Sequence, residues 1–284
     1  MFQYAAGRRL AHHHHAELKL DISFFETEQE GATKRFYELR HLNINAAIAS
    51  PQAIREMNGL SKNRLQALIV RFRQKVGLNE LRRNVYQEPY FNFAQEFLDL
   101  PDNIYLNGFW QSDKYFKDIE TIIRQEFTIK HAITGKNREL ADFIQSRECI
   151  SLHVRCGDYI SDPKTMTFHG ACGPDYYSKC VQQVAKMVKE PFFIVFSDDP
   201  VWAKEHLNIQ YPSMLVDHNS ADKGYEDLRL MNLCKHNIIA NSSFSWWGAW
   251  LNNNPEKIVI APKKWFNNNT VNTNDLIPIQ WITI

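Results

Sequence analysis

The sequence lacks any apolar run of the roughly 20 residues that a membrane-spanning helix requires, and no secretory leader is recognisable in it. It also lacks an excess of either charge. With 33 lysines and arginines against 32 aspartates and glutamates, the net charge of +1 argues against a nucleic-acid-binding protein. The five cysteines are an odd number in no metal-ligand spacing, so we expect reduced thiols, a cytoplasmic location and no bound metal.

One segment departs from this balance of charge. Between Lys62 and Arg83, seven lysines and arginines are opposed only by Glu80. Apolar residues recur at helical spacing in the same segment, which predicts a helix from Ser61 to about Val76 with a basic face. A solvated helix surface accounts for such a face. The alternative is a peripheral contact with anionic lipid at the inner face of a membrane.

A chain of 284 residues is long enough for two domains, each with its own core. We place the boundary between residues 147 and 148, where a polar segment gives way to regular alternation of strands and helices. The first half is less regular. Its predicted elements are helices over 8–16, 51–57 and 118–127, and strands over 18–22, over 37–44 and from residue 104.

The second half alternates strands with helices, which indicates an α/β fold with a doubly wound parallel sheet. Ile150, Leu152 and Val154 alternate with polar residues, the pattern of a half-buried strand. Residues 192–196 form a continuous apolar run, which is typical of a strand covered on both faces. Further strands are predicted over 214–216, 238–240 and 258–260, and helices after the caps Asp175 and Asp199, over 225–235 and from 241.

Polar side chains follow three of these predicted strands. The clusters are His153, Arg155 and Asp158; Ser197, Asp198 and Asp199; and Asn241, Ser242, Ser243 and Ser245. Because parallel strands end at one edge of a sheet, the three loops can converge on one ligand. A guanidinium group, hydroxyls and the N–H groups of a helix start suit a phosphate-bearing ligand. Taken singly, each cluster is also consistent with an ordinary turn or helix cap.

A polar and aromatic loop follows the strand predicted from Ile104. Its residues Trp110, Gln111 and Tyr115 can stack on a sugar and form hydrogen bonds with it. The same residue types also close ordinary domain interfaces. By themselves these three residues favour the structural interpretation.

Together these segments make the sequence resemble the α-1,2-fucosyltransferases of glycosyltransferase family 11 over nearly the whole chain. The segment His153-Val-Arg-Cys-Gly-Asp-Tyr159 is similar to the family's His-x-Arg-Arg-x-Asp motif, which α-1,6- and protein O-fucosyltransferases share. Residues 196–199 and 241–248 are similar to its second and third motifs. Residues 1–7 and 108–112 resemble its amino-terminal signatures, and residues 275–281 resemble its usual ending.

The resemblance implies a GT-B-like fold of two Rossmann-like lobes, the first on the acceptor side and the second binding GDP-β-L-fucose. It implies inverting transfer of L-fucose to the 2-hydroxyl of a terminal β-galactoside, without a metal or other cofactor, in the synthesis of a surface glycan such as an O-antigen. By the same resemblance His153 and Asp198 hold the guanosine end and Arg155 grips the diphosphate. Trp110 and Gln111 are the acceptor candidates. The remaining donor candidates are Ser197, Asn241, Ser242, Ser243, Phe244 and Ser245.

The catalytic candidates are Arg155 and Asp158. An inverting displacement can use a base that takes the proton from the acceptor hydroxyl, and Asp158 is the carboxylate closest in sequence to Arg155. Arg155 would also lower the pKa of Asp158 and weaken it as a base, so a residue that only orients Arg155 is an equal alternative. Cys156 stands where the family motif has a second arginine. We expect activity to survive that change because Arg155 is the better-supported diphosphate ligand.

A second departure concerns the start of the sequence. Family members carry a strand and a Gly-rich loop before the segment that Met1 to Gly7 resembles, near the donor and the acceptor. Without them the sequence is consistent with a truncated chain, a misassigned start or a degraded relative. Two rival functions therefore stay open, a catalytically weak nucleotide-sugar-binding protein and a GT-B transferase for another nucleotide sugar.

Overall fold

The structure, a computed structural model, describes residues 1–26, 36–58, 84–156, 167, 170–268 and 270–284. Contacts between residues divide the chain into two compact units, Met1–Thr128 and Ile129–Ile284. Within the described ranges, no helix is both long and apolar enough to cross a bilayer. The basic segment 62–83 lies outside those ranges, so its helix and its contact with a membrane stay predictions.

The first unit is built from short elements. Its helices are α1 (Phe2–His13), α2 (Ser23–Glu26), α3 (Pro51–Met57) and α4 (Glu120–Glu126). Its strands are β1 (Lys19–Leu20), β2 (Ala47–Ile48), β3 (Val85–Gln87) and β4 (Tyr105–Asn107). They form two separate parallel pairs, β1 with β2 and β3 with β4.

The sequence predicted part of this unit. The helix that begins at Pro51 is confirmed, because the Ser50 hydroxyl accepts a hydrogen bond from the Ala53 N–H at 3.2 Å. The strand predicted over 37–44 is wrong, since Glu38–His41 form a 3₁₀ helix. Strand β3 lies where the sequence predicts no strand or helix. Its backbone hydrogen bonds go to β4, some twenty positions along the chain, and that pairing leaves no local pattern.

The second unit contains the parallel sheet. Its helices are α5 (Gly135–Gln145), α6 (Pro174–Ala185), α7 (Pro200–His206), α8 (Gly224–Leu233) and α9 (Ser243–Leu251). Its strands are β5 (Cys149–Val154), β6 (Phe192–Ser197), β7 (Ser213–Val216), β8 (His236–Ile238), β9 (Val259–Ala261) and β10 (Ile282–Thr283). All six strands join one parallel sheet, which confirms the predicted α/β class and the sheet in the C-terminal half.

The order of the strands shows where a ligand can bind. Across the sheet they run β10-β9-β8-β5-β6-β7, so the chain starts in the middle, builds one side and then crosses back to build the other. The sheet is therefore doubly wound, with its switch point between β5 and β8. Open α/β sheets bind ligands in the crevice outside the carboxyl ends of the strands at this point. Arg155 and Asn241 lie in the loops that follow these two strands.

Strand β5 is buried on both faces, which corrects the half-buried strand expected from its alternating pattern. Its polar residues Ser151 and His153 are only 1% and 5% exposed. Ser151 tolerates burial because its hydroxyl accepts a hydrogen bond from the Asn237 side-chain amide at 2.7 Å. The alternation in the sequence therefore marks a buried polar contact and not a solvent face.

Helix α5 and the start of α6 also differ from expectation. Helix α5 packs against α8 of the second unit, so the units divide between Thr128 and Ile129 and not between 147 and 148. Its sequence looked like a polar linker because its buried stripe consists only of Leu140, Ala141 and Ile144. Helix α6 has Gly173 as its N-cap, and Asp175 lies inside its first turn without capping it.

Candidate active site

The described residues of the three polar clusters lie at the carboxyl edge of the parallel sheet. A guanidinium nitrogen of Arg155 lies 3.0 Å from one carboxylate oxygen of Asp198. The other carboxylate oxygen accepts a hydrogen bond from the Cys156 N–H at 2.8 Å, so Asp198 ties the loop after β5 to the loop after β6. The ring of His153 lies 5.5 Å from the ring of Phe244, which connects the end of β5 to the start of α9. The expected convergence is therefore observed.

His153 is a buried histidine of this site. It is 5% exposed, and within the described ranges its buried Nδ1 atom has no hydrogen-bond partner. Burial, and secondly the positive charge of Arg155, lower the pKa of His153 to about 3. The imidazole is therefore neutral at physiological pH. An unpaired polar atom in such a position calls for a partner, and a ligand can supply it.

This shifted pKa predicts a dependence of stability on pH. In the unfolded chain His153 takes up a proton near pH 6.5, whereas in the folded chain it stays neutral down to about pH 3. Protons therefore favour unfolding between these values, and at pH 5 the loss is roughly 2 kcal/mol. Between pH 7.5 and pH 5, the free energy of unfolding measured in urea should fall by roughly 2 kcal/mol more in the parent protein than in His153→Asn. An equal loss in both proteins would contradict the prediction.

In the cluster after β6, Asp199 caps a helix and Asp198 forms an ion pair. Asp199 caps α7, because its carboxylate accepts a hydrogen bond from the Trp202 N–H at 2.9 Å, and this confirms the predicted cap. The Ser197 hydroxyl accepts from the Asp199 N–H and donates to the Asp199 carbonyl, both at 3.0 Å. Ser197 is therefore engaged in the turn itself. Asp198 is the residue of this cluster that contacts Arg155.

Side chains of the third cluster form hydrogen bonds with two other loops and within the start of α9. The Asn241 amide is 2% exposed and donates to the carbonyls of Gly170 and Trp265, each at 3.1 Å. The Ser242 hydroxyl caps α9 by accepting from the Phe244 N–H at 3.3 Å. The buried Ser245 hydroxyl donates to the Ser242 carbonyl.

Ser243 differs from these neighbours because it is exposed. It is the first residue of α9, a helix of nine residues. The positive end of the helix dipole and the exposed hydroxyl lie together there, beside the Phe244 ring that contacts His153. An anion can therefore be bound at this end of the helix.

Cys156 and Asp158, the two other residues of the first motif, do not add a charge to the described site. The Cys156 side chain is 1% exposed and belongs to the apolar core with Cys172 and Tyr177. Burial raises the pKa of its thiol to about 12, so it stays protonated. Asp158 lies outside the described residues.

The structure corrects the choice of the acceptor residues. Trp110 is completely buried, with its ring stacked on Tyr86 at 5.8 Å and tilted against Phe97 at 4.9 Å, so it cannot stack on a sugar. Tyr115 is equally buried. Gln111 is partly exposed, and its role as an acceptor residue stays a prediction. The aromatic residue that reaches the surface of this loop is Phe109, which the sequence analysis missed.

The described site offers three kinds of group to a ligand. They are a guanidinium held by a carboxylate, a neutral imidazole, and an exposed hydroxyl at a helix N-terminus. The first and third carry positive charge or partial charge, which suits the two phosphates of a nucleoside diphosphate. The second can form a hydrogen bond without adding a buried charge.

Comparison with known proteins agrees with this arrangement. The model of glycosyl transferase family 11 matches residues 10–284. An α-1,2-colitosyltransferase of Escherichia coli is 38% identical over 178 residues, which are 62% of this chain and 61% of that protein. The O-antigen biosynthesis glycosyltransferase WbnK of Escherichia coli is 32% identical over 295 residues, which cover 100% of this chain and 96% of that protein.

More distant relatives are similar over part of the chain. Galactoside α-(1,2)-fucosyltransferase 1 of Rattus norvegicus is 27% identical over 168 residues, 56% of this chain and 44% of that protein. Among solved structures, NodZ α-1,6-fucosyltransferase soaked with GDP-fucose is similar over 88% of this chain and 87% of that chain. The sequence identity is 13% and the TM-score is 0.44.

Proposed function

The chain belongs to glycosyl transferase family 11, and from this membership we propose that it transfers L-fucose from GDP-β-L-fucose to the 2-hydroxyl of a terminal β-galactoside. The observation that carries the proposal is the placement of Arg155, paired with Asp198, at the switch point of a doubly wound sheet. We further propose that the reaction takes place in the cytoplasm and contributes to a surface glycan such as an O-antigen.

The site residues have separate roles in this proposal. The guanosine end of the donor lies against His153 and Asp198, and the diphosphate lies between Arg155 and Ser243. Asp198 also fixes the guanidinium group through its ion pair. As the bond between the fucose anomeric carbon and GDP breaks, negative charge grows on the diphosphate. Arg155 and the N-terminus of α9 stabilise that charge, and we propose that they do so without a metal.

Mass spectrometry tests this function directly. The purified protein is incubated with GDP-fucose and lactose in the presence of EDTA, alongside Arg155→Ala. A lactose product heavier by one fucose, absent in the variant, is expected. If no transfer occurs although GDP-fucose protects the protein against thermal unfolding, the chain is a nucleotide-sugar-binding relative without this activity.

Inversion requires that the galactoside oxygen attacks the anomeric carbon from the face opposite GDP. A base can assist by taking the hydroxyl proton, and we propose Asp158 as that base. Asp158→Asn should lower kcat by roughly 100-fold, the low end of the contribution of a general base, because Arg155, three positions earlier in the sequence, weakens a carboxylate base. Affinity for GDP should not change. Near-native turnover with normal GDP binding would show that Asp158 is not the base.

A second candidate donor comes from the relative named as an α-1,2-colitosyltransferase, which is 38% identical over 62% of this chain. Colitose is L-fucose without the 3-hydroxyl group, so the two transfers differ at one position of the sugar. Competition between GDP-fucose and GDP-colitose for a single acceptor distinguishes them. The same experiment with GDP-mannose tests whether the enzyme uses a third nucleotide sugar.

A further inference from the structure

The loop of residues 108–112 in the first unit is fixed by one carboxylate. The Glu88 side chain accepts hydrogen bonds from two successive backbone N–H groups, that of Phe109 at 2.6 Å and that of Trp110 at 3.0 Å. Gly108 packs directly on the same side chain. A Cβ atom added to Gly108 would lie 2.4 Å from the Cβ of Glu88, so only glycine fits. The 108–112 loop therefore has a defined conformation.

Trp110 bears two energetic costs within this loop. Its φ of 56° lies in the left-handed region, which bulky side chains rarely adopt. In the described part of the chain its buried indole N–H has no hydrogen-bond partner, and such orphaned donors are uncommon. Costs of this kind persist where the surrounding structure enforces them, often at ligand sites. The 108–112 loop is therefore a candidate ligand site, and its exposed side chains are the groups that could bind a ligand.

The left-handed turn at Trp110 separates the side chains of the loop. The Trp110 ring is fully buried, whereas its neighbour Phe109 is 62% exposed. Gln111, the residue that follows Trp110, is partly exposed. The loop thus presents an exposed aromatic ring at residue 109 and a partly exposed amide at residue 111. Leaving a phenyl ring in water forgoes the gain from burying it.

From this geometry we propose that Phe109 and Gln111 bind the acceptor sugar. The electron-rich face of the Phe109 ring packs against the C–H face of a pyranose, and the Gln111 amide donates to one sugar hydroxyl and accepts from another. Galactose suits this surface because its C3–H, C4–H and C5–H groups lie on one side of the ring. The identity of the sugar rests on the proposed function, in which the acceptor is a galactoside.

Another polar site in the first unit lacks these features. A cavity of about 350 Å³ is lined by Arg8, Glu17, Asn45 and their neighbours. No aromatic ring occurs among the described residues that line it. A sugar held there would not depend on Phe109, so substitution of this residue distinguishes the two locations.

The experiment measures binding of lactose to the donor-free protein by saturation-transfer difference NMR. Phe109→Ala should raise the Kd for lactose roughly tenfold, since an aromatic contact is lost. Phe109→Trp should bind like the parent protein because it keeps an aromatic face. Phe24→Ala is the matched control, since Phe24 is a phenylalanine of the same unit that is 53% exposed. Thermal protection by GDP, measured in parallel, should be equal in all four proteins.

The outcomes separate this inference from the proposed function. Equal lactose binding by Phe109→Ala and the parent protein overturns the inference. So does a parent protein that binds GDP but binds neither lactose nor any galactoside on a glycan array. If lactose binding is lost in Phe109→Ala while the parent protein transfers no fucose, the inference stands and the proposed function fails.

Discussion

Replacing Arg155 with alanine should lower kcat for fucose transfer by roughly 10²–10³-fold, the usual consequence of removing one group that stabilises charge in a transition state. The guanidinium group is held in place before the donor arrives, because Asp198 fixes it at 3.0 Å and is itself fixed by the Cys156 N–H. Such preorganisation avoids rearrangement during the reaction. The loss should therefore appear mainly in kcat and less in the Kd for GDP.

Two further variants make this test specific. Arg155→Lys keeps the positive charge but loses the planar array of donors, so it should recover only part of the activity. Arg138→Ala is the matched control, because Arg138 belongs to the same unit and its side chain is 54% exposed. Near-native turnover by Arg155→Ala would mean that the diphosphate is neutralised elsewhere. The described site would then be incomplete.

The sequence predicted that polar loops would share one edge of the sheet, because the ends of strands can be recognised from local patterns. Strand β5 is recognisable from its alternating pattern and β6 from its apolar run, and a parallel sheet sends the loops that follow its strands to one edge. Arg155 and Asp198 could thus be brought together although they are far apart in the chain. That inference depends only on the rule that the carboxyl ends of parallel strands lie at the same edge of a sheet.

The sequence could not show which polar residues remain available to a ligand. Asn241, Ser197 and Ser242 all looked like donor ligands, yet their side chains form hydrogen bonds with the protein. Ser197 and Ser242 bond within their own turns, and Asn241 bonds to the carbonyls of Gly170 and Trp265. Ser243, by contrast, is exposed at the start of α9. Whether a hydroxyl is used for folding or left for binding depends on three-dimensional partners, which neither residue type nor spacing reveals.

The same limit explains the error at the acceptor loop. Phe109 and Trp110 are adjacent aromatics, and the larger ring was the natural choice for stacking on a sugar. The left-handed backbone at Trp110 turns that ring into the core and leaves Phe109 outside. A positive φ at a tryptophan has no sequence signature. It results from Glu88, more than twenty positions earlier in the chain, which captures both backbone N–H groups.

Replacing Trp246 with alanine should destabilise the second unit by about 3–5 kcal/mol, the usual cost of truncating a buried tryptophan. Trp246 is 0% exposed and stacks on Trp250 at 6.2 Å. Its ring also lies 5.5 Å from that of Trp281, and its indole N–H donates to the Leu276 carbonyl at 2.9 Å. The Trp246 side chain thus links helix α9 to Leu276 and Trp281 near the end of the chain. Urea unfolding measures the loss, and Trp202→Ala, at a partly exposed position of the same unit, is the control.

This variant also tests how the donor site is supported. Helix α9 has Ser242 as its N-cap, and the backbone N–H of Trp246 donates to the Ser242 carbonyl at 3.0 Å. Packing of the Trp246 ring therefore supports the first turn of the helix. Trp246→Phe, which keeps an aromatic ring but loses the bond to Leu276, should be destabilised less and should still be protected by GDP. Unfolding of Trp246→Ala at the same urea concentration as the parent protein would show that the contacts of Trp246 with Trp250 and Trp281 do not hold α9 in place. The position of Ser243 would then have to come from the Asn241 contacts with the carbonyls of Gly170 and Trp265.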